Sequence, residues 1–85
     1  MEYDQEKVDE VVLALLSLTM FEDGPASRAW KGHDWGVLDR LHEKGYISDP
    51  KSKNKSVIMT EEGAKRACEL FERHFGIKGQ SAGQL

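Results

Sequence analysis

Three lysines at alternating positions, Lys51, Lys53 and Lys55, form the densest positive stretch of the chain. In an extended segment they would share one side, a spacing suited to the oxygens of successive phosphates. The same alternation would also suit a solvated tip whose charges discourage edge-to-edge strand pairing. Trp30 and Trp35 flank Lys31-Gly32-His33-Asp34. Two indoles around a glycine loop can make an aromatic pocket or a stacking platform for a base or a peptide. They can equally seal a small core at a helix entrance.

Other chemistry finds no support in residue type or spacing. His33 and His42 are too far apart for an i, i+3 or i, i+4 metal pair, and His74 is remote from both, so no metal site is expected. Cys68 lies between Ala64 and Phe71 on an apolar stripe, which disfavours a thiolate and reads as a small core residue. Carboxylates are plentiful but none is paired in a way that predicts a shifted pKa. No glycine-rich phosphate loop, nucleophile elbow or HExxH is present. The expectation is a protein that is not an enzyme, takes no cofactor and has no catalytic residues, with any small-molecule ligand undefined.

Composition bounds the remaining classes. Eighty-five residues make one domain, and a single cysteine cannot close an internal disulfide. No apolar run approaches the roughly 18 to 20 residues needed to span a bilayer, and Met1-Glu2-Tyr3-Asp4 lacks the basic start of a signal peptide. A cytoplasmic protein with no membrane partner is expected. The net charge of -3 hides a division: residues 1–24 carry seven acids against one base, and the rest of the chain is net positive by three.

The elements that must position these side chains follow from periodicity. Asp4 is a helix N-cap, and Val8, Val11, Val12, Leu15 and Leu16 define one face of a helix from Asp4 to Phe21. Leu13 and Met20 fall outside that face, widening the apolar arc beyond half the circumference and predicting a dimer surface at these two residues. Gly24 and Pro25 break the helix, and residues 25–30 read as a short helical turn. Asp34 caps a second helix, Trp35 to Lys44, with Trp35, Val37, Leu38 and Leu41 buried and Gly45 as its left-handed terminator. Residues 46–48 and 56–59 read as a hairpin whose tip carries the three lysines. Thr60 caps a last helix to Phe75 that buries Ala64, Ala67, Cys68, Phe71 and Phe75. Its outer surface pairs Glu61/Lys65, Glu62/Arg66 and Glu69/Arg73. The domain spans 1–75, with a flexible tail over 76–85.

Leu38-Asp39-Arg40-Leu41-His42-Glu43-Lys44-Gly45-Tyr46-Ile47, followed by Val57-Ile58-Met59-Thr60-Glu61-Glu62-Gly63, resembles a pattern in MarR-type and PadR-type winged-helix regulators. There it runs from the recognition helix through the wing into the next helix, and here it covers residues 34–75. The whole chain, including Ala29-Trp30-Lys31-Gly32-His33-Asp34-Trp35, also resembles a bacterial family of short proteins of unknown function. The first resemblance implies an abbreviated winged-helix-like α+β domain, mostly helical, in the order helix, short turn, helix, β-hairpin wing, helix. It further implies DNA binding and transcription regulation. Duplex DNA would be held by Lys51, Lys53 and Lys55, with Arg40 and Lys44 as auxiliary contacts. Only residues 25–30 are available for the helix that precedes a recognition helix, and Asp39 and Glu43 oppose phosphate on the outward face of the second helix. A homodimerising interaction module without nucleic-acid binding is the alternative.

Overall fold

The computed structural model describes residues 1–77, so the expected tail lies outside the described residues from 78 onward. The first helix, α1, spans Gln5–Leu18, and Asp4 caps it by accepting a hydrogen bond from the Lys7 amide at 3.2 Å. It ends before the predicted Phe21 because Phe21 opens a strand.

That strand, β1 (Phe21–Asp23), turns directly into β2 (Ala26–Trp30), with Asp23 opposite Ala26 and Phe21 opposite Arg28. The helical turn expected over 25–30 is therefore a strand. Its two-residue connection is Gly24-Pro25, and Gly24 has φ 62°, the left-handed conformation that primed hairpin turns require at their first central position. A Gly-Pro pair serves both as a helix breaker and as a tight turn, and strand pairing decides for the turn.

The third strand, β3 (Ser56–Met59), pairs antiparallel with β2, from Ser27 opposite Met59 to Trp30 opposite Ser56. The sheet order is β1-β2-β3. The expected partner of β3, residues 46–48, contributes one bridge, Ile47 to Met59, and a bond from the Ser48 amide to the Ile58 carbonyl at 2.9 Å. The predicted two-stranded wing is thus replaced by a sheet that draws its other strands from before α2.

Helix α2 spans Trp35–Glu43 and begins as the sequence indicates, with Asp34 Oδ2 accepting from the Val37 amide at 3.2 Å. Its end is a Schellman motif: the Tyr46 amide bonds the Leu41 carbonyl and the Gly45 amide bonds the His42 carbonyl, with Gly45 at φ 82°. Helix α3, Glu61–Phe75, starts at Thr60, whose hydroxyl accepts from the Gly63 amide at 2.9 Å and donates to the Gly45 carbonyl at 2.8 Å. The close approach at this joint explains Gly63. A Cβ there would collide with the Tyr46 carbonyl.

The core lies between the inner sheet face, where Ala29 opposes Val57, and the three helices, which contribute Leu13, Leu16, Leu38, Leu41, Ala67 and Leu70. Helix α1 packs chiefly against α3 and also meets α2 and β2. Full burial of such a leucine contributes about 1.5 to 3 kcal/mol relative to exposure.

Three burial expectations are corrected. Leu13 is 1% exposed and belongs to the core, which removes it from the predicted dimer surface, and Met20 packs half-buried against that core. The wide apolar arc of α1 is covered largely by the rest of the domain. Helix α3 buries Gly63, Ala67 and Leu70, about one residue's rotation from the predicted stripe, because Gly63 marks its closest approach. That rotation leaves Cys68 exposed. Trp35, expected in the stripe of α2, is 57% exposed. The three i, i+4 pairs predicted on α3 do not form; Arg66 meets Glu69 at 3.5 Å instead.

The architecture is α+β, with three helices and a three-stranded antiparallel sheet among the described residues. Residues preceding α2 form a β-hairpin, not the helix that ordinarily precedes a recognition helix.

Candidate functional site

Two clusters of charge stand out, and they differ in how their cations are held. The first joins α1 to α2. Asp9 lies in the first half of α1 with its side chain only 3% exposed, and the Arg40 fork grips it. Arg40 Nε donates to Oδ2 at 2.8 Å and Nη2 to Oδ1 at 2.9 Å, while Lys44 Nζ stands 3.5 Å from Oδ2. The hydrogen bonds from Arg40 hold the Asp9 carboxyl below its ordinary pKa of 3.8, against the opposing effect of burial. The same bonds raise the Arg40 guanidinium further. Bidentate, charge-assisted pairs of this kind are the stronger class of hydrogen bond. Arg40, predicted to touch phosphate, is thus engaged by an internal carboxylate, while Lys44, with 38% of its side chain exposed, stands at the edge of the same pair.

The second cluster occupies the outer face of the sheet and the loop beside it. Strand alternation puts Phe21, Arg28, Trp30 and Ile58 on this face, opposite the side where Ala29 and Val57 meet the core. The Phe21 and Trp30 rings stack with centroids 4.9 Å apart and planes tilted by 30°. Trp30 is 54% exposed, so the core-sealing role does not apply to it. Arg28 lies across from Phe21 on one side and Ile58 on the other. Its Nε donates to Ser56 Oγ at 2.7 Å and its Nη2 to the Ser56 carbonyl at 3.1 Å. Among the described residues Arg28 enters no ion pair. Its orientation is fixed while its charge is not cancelled.

Lys51, Lys53 and Lys55 are exposed in the loop that follows Pro50, and among the described residues they too are absent from the ion pairs. The loop is fastened to the sheet. Lys31 Nζ donates to the carbonyls of Pro50 and Ser52, each at 2.7 Å, and the Lys31 amide bonds the Lys55 carbonyl at 3.1 Å. The same ammonium stands 5.9 Å from the Trp35 ring centroid. The two indoles therefore take different partners: Trp30 stacks on Phe21, and Trp35 lies under Lys31.

Two of the three histidines make contacts within the fold. His42 Nδ1 lies 3.0 Å from the Ile47 carbonyl oxygen, and His74 Nε2 lies 3.2 Å from Glu10 Oε1, joining α3 to α1. Among the described residues no group of three or more His, Cys, Asp or Glu is placed to hold a metal ion. No helix among them is long and apolar enough to cross a membrane. Sequence reasoning missed Phe21, Arg28 and Lys31. A period-two signal was present, since Arg28 and Trp30 alternate with Ser27 and Ala29.

Residues 4–77 match the family model described as a Domain of unknown function (DUF6429), and the chain belongs to that family. It is 52% identical over 75 residues to the uncharacterized protein y4hR of Sinorhizobium fredii, an alignment covering 88% of this chain and 97% of that protein. No solved structure matches the chain.

Proposed function

We propose that this domain is a non-enzymatic nucleic-acid-binding protein that contacts phosphate through Lys51, Lys53 and Lys55, with Arg28 as a fixed additional cation. The observation that carries the reading is the double hydrogen bond from Lys31 to the loop carbonyls, which holds the lysines beside an aromatic sheet face. A tip that only discouraged strand pairing would need no such anchor. Transcription regulation is the context that the order α2, basic loop, β3, α3 favours by its resemblance to winged-helix regulators. Arg40 and Lys44 have no part in the contact, and Asp39 and Glu43 keep α2 from serving as a groove reader.

Fluorescence anisotropy of the full chain with labelled duplex and single-stranded oligonucleotides tests this at low salt. Binding should weaken as salt rises, with a log-log slope of about -3 on duplex if three phosphates are neutralised. The triple variant Lys51→Gln, Lys53→Gln, Lys55→Gln should lose most of that slope. Absence of binding to every nucleic acid at low salt would end the proposal.

A second reading is favoured by a groove of about 400 Å³ on the outward side of α1, lined by apolar atoms of Tyr3, Val8, Val11 and Val12. It makes the domain a homodimerising interaction module, with the contact on this groove and not on Leu13 and Met20. Sedimentation should then show a dimer that Val11→Lys returns to monomer; a wild-type monomer at high micromolar concentration refutes it.

A further inference from the structure

We infer that the outer sheet face is a stacking platform for single-stranded nucleic acid, with an unpaired base on Trp30 and the flanking phosphates on Arg28 and the lysine loop. This rests on the phosphate reading above and adds the kind of strand that is taken. The geometry that distinguishes single strand from duplex is the aromatic pair. Phe21 backs one side of Trp30 at 4.9 Å, which fixes the indole, while the exposed remainder offers a flat π surface. Bases within a duplex already stack on their neighbours, so such a surface is of use only to bases that are unpaired.

Charge along the face indicates where the strand lies. Arg28 and Trp30 are two residues apart on β2, roughly 7 Å by strand geometry. The rung beyond Arg28 toward the loop joins Trp30 to Ser56, and Lys55 immediately precedes Ser56. Base surface and cations therefore follow one another toward the loop end of the sheet. On the sheet itself the acidic groups lie away from Trp30. Asp23 is at the opposite end of β1 beside the Gly24 turn, and Glu22 lies on the other face, where it accepts from Ser27 Oγ at 3.1 Å. Asp49 accepts from the Lys51 amide at 2.9 Å within the loop. Ile58, 39% exposed and opposite Arg28, extends the apolar floor. A polyanion that also presents flat apolar rings matches both halves of this surface.

The test uses the full chain and labelled oligo(dT), oligo(U) and a mixed-sequence duplex of equal length, titrated by anisotropy at one low salt concentration. Both single strands should bind about ten-fold or more tightly than the duplex. Trp30→Ala should lose about ten-fold on the single strands, within the range of base stacking on an aromatic side chain, and change duplex affinity by less than about two-fold. Trp30→Phe should recover part of the loss. In Trp35→Phe, where Trp30 is the remaining indole, oligo(dT) should quench tryptophan fluorescence, so a poorly folded Trp30→Ala would not remove the test. Equal binding of duplex and single strand, with no effect of Trp30→Ala and no quenching, overturns the platform and leaves phosphate binding standing. No binding of any of the three overturns both.

Discussion

Arg40 and Arg28 are both arginines held in one orientation, and the difference between them lies in what holds them. Arg40 is anchored by a buried carboxylate, so its charge is spent within the fold; Arg28 is anchored by a serine hydroxyl and a carbonyl, so its charge remains available. A count of cations along the chain treats the two alike. The positive charge available to a ligand is set by where the acids fold, and here Asp9 offsets one of the two α2 cations beside it, chiefly Arg40, while the loop lysines enter no ion pair among the described residues.

The contrast would fail most visibly at Arg40. Arg40→Ala leaves the buried Asp9 carboxylate with only the more distant Lys44, and should be the most destabilising of the three variants. Asp9→Ala should cost less, about 2 kcal/mol, since the stranded cations can turn to water. Arg28→Ala should cost about 1 kcal/mol or less, the value of its hydrogen bonds to Ser56. Urea denaturation of the three variants gives the ranking. An Arg28→Ala cost equal to that of Arg40→Ala would erase the distinction.

A smaller effect sharpens it by pH. Because Asp9 titrates below 3.8 in the folded state, its contribution is complete above about pH 5, where both folded and unfolded carboxyls are ionised. It falls away as the pH drops through 3.8 toward the lowered folded value. In Asp9→Asn the decline in stability between pH 5 and 3 should be shallower than in wild type. Parallel curves for the two proteins would mean that the pair does not govern acid stability.

Local signals were legible and long-range ones were not. Asp34, Gly45 and Thr60 marked their helix ends correctly because caps are satisfied within a few residues. The role of Asp9 was not legible, since nothing near it in sequence announces a partner 31 residues away. Residues 25–30 misled for a different reason: Gly24-Pro25 suits both a helix start and a hairpin turn, and only pairing with β3 selects the second. Of the candidate site, the lysine loop was readable from its alternation. Phe21 and Arg28 were not, because the face they share exists only once β1, β2 and β3 are aligned. Leu13, Cys68 and Trp35 show that a stripe drawn one residue off inverts a burial assignment.

The strap from Lys31 to the carbonyls of Pro50 and Ser52 has a consequence for the entropy of binding as well as for placement. A free loop would surrender conformational entropy when a ligand ordered it, and each flexible side chain immobilised costs about 0.5 to 1.5 kcal/mol more. Here folding has already restricted the backbone at Pro50 and Ser52, and the bond from the Lys31 amide to the Lys55 carbonyl holds the far end of the loop. The ordering that remains then falls chiefly on the lysine side chains, so a ligand of the proposed kind would find the loop preorganised.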